Sequence, residues 1–173
     1  MRKSISAAVA ACCMLPMTAM AQMMDVPEAV RAPAGSKPAM TAIGVGELTY
    51  ECKAKAADAM AFEWAFVGPI AKLMDTQTQK EVGKYYAGPT WESMDGSKVT
   101  GKQVAVAPGA AGNIPLQLVK ADPAMGTGAM TGVTYIQRVN TKGGVAPADP
   151  CSAATAGMKK TVPYQADYVF YKM

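Results

Sequence analysis

The chain contains no histidine. That absence alone excludes a Ser-His-Asp triad, a Cys-His nucleophile pair and any histidine-ligated metal. Cysteine is scarce: Cys12 and Cys13 lie at the amino end, and Cys52 and Cys151 stand far apart with no CxxC spacing. A redox dithiol and a zinc knuckle both need cysteines close in sequence, so neither is supported. No DxDxDG calcium loop is present. Charge of either sign is thin, at 17% of residues, and the net is only +4. Basic residues are scattered singly apart from Lys159-Lys160, which argues against a nucleic-acid partner. Apolar runs are too short to span a membrane as a helix, no segment keeps a helical period, and no internal repeat is found.

What is present begins with an export signal. Residues 1–21 have a basic start at Arg2 and Lys3, an uncharged apolar stretch from Ile5 to Met20, and Ala19-Met20-Ala21 as a cleavage site before Gln22. Val9-Ala10-Ala11-Cys12 resembles a lipoprotein cleavage box but sits very early, so simple secretion to the periplasm or medium is expected over lipidation. Cleavage would leave 15 basic and 13 acidic residues, a net of +2, and only two cysteines. In an oxidising compartment an isolated pair is most simply one disulfide. A Cys52–Cys151 bond would close a loop of 100 residues, counting both ends. The chain-entropy argument gives about 4–5 kcal/mol for a loop of that length.

Residues 22–42, rich in Met, Ala and Pro, read as an irregular lead-in, and 43–173 as a single β domain. Leu48, Tyr50 and Cys52 alternate with polar residues as a half-buried strand. A second strand is expected over Ala61–Val67, ended by Gly68-Pro69, with Ile70–Met74 a separate short apolar segment. Ile114–Lys120 reads as a strand with Leu116 and Leu118 on one side. Met130–Val139 reads as another, with Val133, Tyr135, Gln137 and Val139 on one face and Ile136 and Arg138 on the other. Asn140–Pro147 is expected to be a loop, Ser152–Met158 a short helical turn, and Val162–Lys172 a strand. Short strands separated by Gly/Pro turns make the class all-β, an antiparallel β-sandwich or flattened barrel with one disulfide.

The densest run of special-purpose residues is Gly83–Gly101, which holds Tyr85, Tyr86, Trp91 and the turn signal Asp95-Gly96. A three-residue loop with Gly96 left-handed pairs Ser93 with Ser97, Trp91 with Val99 and Glu92 with Lys98. That register gives one aromatic–β-branched pair and one opposite-charge pair, and is preferred over a two-residue loop for that reason. The alternation then slips, and a β-bulge near Gly101 would return Val99 and Val104 to one face.

Candidate functional residues are few. Glu92 and Asp95 are a possible carboxylate pair for acid–base work, though turns select Asp for local reasons. Ten methionines follow the signal, and thioethers suit Cu(I). They are dispersed, so they read as core filler and no cofactor is expected. Tyr85, Tyr86, Trp91, Tyr164, Tyr168 and Tyr171 form either an aromatic platform for a sugar or flat ligand, or a β core. Arg138 is the only arginine after Arg31 and stands in a strand with no other charge. Its planar group suits clamping a carboxylate or carbonyls. With Val139 facing in, Arg138 and Asn140 would face out together, as neighbours of the Glu92–Lys98 face. The expected binding set is therefore Tyr86, Trp91, Glu92, Lys98, Arg138 and Asn140.

The segments VPEAVRAPAG, GVGELTYECKA, FEWAFVGPIAKLMD, YYAGPTWESMDGSKVTGK, TYIQRVNTKGG and VPYQADYVFY together resemble the secreted domain-of-unknown-function family 3455. The resemblance implies a secreted protein and no particular activity. Where the family pattern carries a histidine before the YAGPTW-like segment, this chain has Lys84-Tyr85; where a tryptophan follows Ile-Pro, it has Leu116. The leading expectation is a non-enzymatic exported protein that binds a small molecule, glycan or envelope component. A polysaccharide hydrolase using Glu92 and a structural envelope protein are the alternatives.

Overall fold

A computed structural model describes residues 26–173. The expected signal segment, Cys12 and the cleavage site lie outside the described residues. Eight strands follow in chain order: β1 (Lys37–Lys55), β2 (Asp58–Asp75), β3 (Glu81–Tyr86), β4 (Thr90–Ser93), β5 (Lys98–Ala107), β6 (Leu116–Ala121), β7 (Val133–Gly143) and β8 (Lys159–Lys172). Each pairs antiparallel with its neighbour in sequence, and β8 returns to pair with β1, so the sheet closes as an up-and-down barrel. The expected all-β antiparallel class holds. One closed sheet forms where a two-sheet sandwich was the other expectation; closure leaves no unpaired edge.

Period-two alternation places one side chain in two inside the barrel. On β8 this runs as expected: Tyr164, Ala166, Tyr168 and Phe170 are buried while Gln165, Asp167 and Tyr171 point outward. The interior is completed by Leu48, Leu73, Tyr85, Trp91, Val99, Val119, Met130 and Ile136. Gly44 on β1 leaves room for the Tyr168 ring, which an added Cβ would meet at 2.5 Å. The central hairpin forms in the expected register, Trp91 opposite Val99 and Glu92 opposite Lys98, with Gly96 at φ 84° and Ser93 N–H donating to the Ser97 carbonyl. Asp95 closes that end of the barrel. Its carboxylate accepts from the Ser97 hydroxyl and backbone and from the Ala129 N–H, tying the 122–132 loop across the opening.

Cys52 and Cys151 are bonded, their Cα atoms 5.5 Å apart. The bond pins the segment before β8 onto the far half of β1, where Cys52 also exchanges backbone hydrogen bonds with Gly157 and Met158. The short helical turn expected in that segment is a 3-10 turn over Ala153–Thr155, capped by Ser152.

Five expectations need correction. The strand expected to end at Gly68-Pro69 continues to Asp75. Pro69 sits where the β3 ladder has not yet begun and beside a register shift at Thr49/Tyr50, an irregular edge that tolerates proline. The irregular lead-in ends at Ser36, because residues 37–42 already pair with β8. The bulge on β5 lies between Gln103 and Ala105, not at Gly101, and Val104 is the extra, half-exposed residue. Leu116 and Leu118 do share one side, as expected; it is the outer one, covered by Val30 from a 3-10 turn at Glu28–Val30, while Val119 and Gln117 face inward. Lastly, a register shift between Val133 and Tyr135 reverses the faces of β7. Ile136 and Arg138 point into the barrel, and Gln137 points out, donating to the Val30 carbonyl at 2.6 Å. Strand pairing also carries β7 on to Gly143, into the expected loop. Of the methionines, Met130 fills the core and Met40 packs against it, while Met60, Met94, Met125, Met158 and Met173 are exposed.

Candidate functional site

The six residues of the expected binding set fall into four places. Trp91 is in the core, 1% exposed, its ring stacked on Tyr85 at 4.6 Å and edge-on to Tyr168 at 6.0 Å. Tyr86, Glu92 and Lys98 are together on the outer surface. The Tyr86 hydroxyl donates to Glu92 at 2.6 Å, and Lys84 on the same strand, β3, pairs with the same carboxylate at 3.2 Å. Lys98 faces Glu92 across the hairpin, but the ion pair is made by Lys84. Asn140, left-handed at φ 51°, donates to Asp167 on the outside of the barrel at 2.6 Å. Arg138 also points into the barrel, in the opening lined by Tyr50 and Phe66. The expected juxtaposition of Glu92 with Arg138 does not form: β5 and β6 separate their strands, and each has its own partners.

The Tyr86 hydrogen bond, helped by Lys84, holds the Glu92 carboxyl below the usual carboxylate range. Glu81 lines the same groove and is paired with Lys72 at 2.8 Å. A glycosidase acid needs a raised carboxyl pKa. Glu92 is shifted the other way, the direction that favours a charged acceptor over an acid.

The more elaborate constellation is at the opposite end from the Asp95 cap. There β5 ends, β6 begins, and a depression of about 230 Å³ opens into the barrel. Leu48, Tyr50 and Phe66 form one wall, and Gln103, Gln117 and Arg138 supply polar groups. Tyr50 and Phe66 meet edge to face with ring centres 5.7 Å apart, and Phe66 is 56% exposed. The Tyr50 hydroxyl donates to the Gly144 carbonyl at 2.7 Å, holding its ring upright. Arg138 is oriented from behind: its Nε and Nη2 both donate to the Pro115 carbonyl, at 3.3 and 2.9 Å. Deeper in, its guanidinium reaches the Tyr168 hydroxyl, which shares a 3.2 Å hydrogen bond with Tyr164. Burial raises the pKa of Tyr50, Tyr85, Tyr164 and Tyr168, so all four stay neutral donors; Arg138 acts in the opposite sense on each.

The family model described as Protein of unknown function (DUF3455) matches residues 33–172. The chain belongs to that family. No curated protein and no solved structure gives a significant match. The DUF3455 match spans the whole barrel, β1 through β8, and therefore every residue of the mouth. The Val30 turn that covers the outside of β6 precedes the matched span.

Sequence reasoning named Arg138 and missed Tyr50, Phe66, Gln103 and Gln117 beside it. One signal was available: Phe66 lies on an alternating aromatic face with Phe62 and Trp64, and Tyr50 on an alternating apolar face with Leu48 and Cys52. Nothing local marked Gln103 and Gln117 as inward-facing, because a bulge and the outer cover at Val30 set their orientation.

Proposed function

We propose that the protein is exported and binds a small molecule in the mouth of its barrel without transforming it. The observation that carries this reading is the mouth itself. It is a concave, aromatic-walled opening with a few convergent polar groups on a rigid closed sheet, which is the usual make-up of a small-ligand site. Apart from Ile114 and Pro115 in the β5–β6 connection, its residues come from β1, β2, β5, β6 and β7, so strand pairing holds them in place without the ligand. Export is supported by the amino-terminal pattern of residues 1–21 and by a disulfide, which persists in oxidising compartments. Among the described residues no helix is long and apolar enough to cross a membrane. The charge pattern also opposes a membrane-spanning barrel. Lys72, Lys84, Lys102 and Lys120 occupy the outer surface, while Tyr85, Trp91, Tyr164, Tyr168 and Phe170 fill the interior, the reverse of the arrangement lipid requires.

Native mass spectrometry of protein recovered from its own periplasm or medium tests both halves. The expected mass begins at Gln22 with one disulfide, accompanied by a retained small molecule released on denaturation. Recovery only from the cytoplasm with residues 1–21 intact would overturn export. A bound species whose binding survives Phe66→Glu, a change that removes the aromatic wall and places a negative charge in the opening, would place the site elsewhere.

A further inference from the structure

Among the described residues that line the mouth there is one charged group, Arg138, and no carboxylate. Arg138 takes part in none of the salt bridges among the described residues. Its protein partners are the Pro115 carbonyl and the Tyr168 hydroxyl, both uncharged. A guanidinium carries five N–H donors and cannot shed its charge, and Arg138 is only partly buried, so its head is accessible from the opening to an incoming anion. The carbonyl contact occupies one edge of the group and sets its plane, leaving donors directed elsewhere in the opening. Gln103 and Gln117 lie on the same surface. Gln117 donates its amide to Gln103 at 2.6 Å, while the Gln103 amide N–H groups have no acceptor among the described residues. The surrounding tyrosines cannot serve as the counter-ion, since burial keeps them protonated.

We infer that the mouth takes an organic monocarboxylate, its carboxylate paired with Arg138 and its flat apolar body laid against Tyr50 and Phe66. This rests on the binding function proposed above and names its ligand class. One cation with amide donors fits a single negative charge, whereas a phosphate dianion calls for further cations or a cluster of backbone N–H groups, and neither lines the opening. The edge-to-face pair with Phe66 half exposed at the rim provides a surface for a ring that water does not compete for. A volume of about 230 Å³ limits the body to one or two rings.

The probes are 2-naphthoate, its neutral counterpart 2-naphthamide, and inorganic phosphate, titrated into the disulfide-intact mature protein by calorimetry, with amide shifts mapped by NMR. The expected result is that naphthoate binds at least tenfold more tightly than naphthamide, that phosphate does not displace it, and that shifts centre on Tyr50, Gln117 and Arg138. Phe66→Ala should weaken acid and amide by the same factor. Arg138→Gln should abolish the preference between them. Because Arg138 also holds Pro115, Arg138→Lys is the companion variant; it keeps the charge and is expected to retain part of the preference. Equal affinity for acid and amide at the mouth of the unsubstituted protein would overturn the carboxylate inference while leaving the binding reading intact. Shifts confined to the outer Asn140–Asp167 surface, or no binding of either naphthyl probe, would overturn both.

Discussion

Trp91 shows how one residue can be decided by its surroundings. Its ring is held between Tyr85 and Tyr168 and its indole N–H is buried without a protein acceptor. Truncation to Ala is expected to cost about 3–5 kcal/mol in chemical denaturation, from lost apolar burial and a cavity that closed strands cannot collapse. Trp91→Phe should cost markedly less. It keeps most of the stacking and removes an unpaired donor that itself opposes folding by roughly 1–3 kcal/mol. Equal losses for the two variants would mean the N–H is satisfied. Gly44 is the complementary case. An added methyl would meet the buried Tyr168 ring, so Gly44→Ala is expected to lower the melting temperature although Ala is the better strand former.

At the scale of elements, two short pieces outside the regular sheet hold its ends and flank. The Glu28–Val30 turn covers Ala107 and Leu118, and Val30 is fully buried there. Val30→Ala should destabilise by roughly 2 kcal/mol, from two lost carbons and the void they leave. The Asp95 cap gives a pH dependence. Hydrogen bonds from the Ser97 hydroxyl, the Ala129 N–H and the Ser97 N–H lower its pKa from 3.8 to about 2. A carboxyl depressed by folding stabilises the folded state above its unfolded pKa, and the contribution disappears as pH falls through the folded value. The melting temperature of the unsubstituted protein should therefore exceed that of Asp95→Asn at neutral pH. The gap should narrow between about pH 4 and pH 2, where Asp95 itself becomes protonated. A gap that stays constant across that window would remove Asp95 from this role.

For the whole molecule, the 99-residue separation of Cys52 and Cys151 matters more than the local geometry of the bond. Cys52→Ala with Cys151→Ala is expected to cost about 2–5 kcal/mol in thermal or chemical unfolding, mainly by freeing the unfolded chain. The barrel should remain closed, since β1 and β8 pair along almost their whole length beside the disulfide. Loss of β-sheet circular dichroism at room temperature in the double variant would show instead that the bond is required for closure.

Local chemistry was enough to determine the hairpin register, the inward face of β8, the Cys52–Cys151 pairing and the all-β class. Each depends on residues close in sequence or on a choice with one sensible answer: an Asp-Gly turn, an unbroken alternation, two cysteines left to pair. The tertiary structure decided that the sheet closes on itself, that Leu116 and Leu118 face outward, and that Arg138 turns into the barrel away from Glu92. The reason is the period of two. One extra residue in a strand exchanges its faces, and the irregularities at Val104 and between Val133 and Tyr135 carry no strong local signature. A mouth assembled from five strands, with its arginine on one of those exchanged faces, is visible only once β8 has returned to β1.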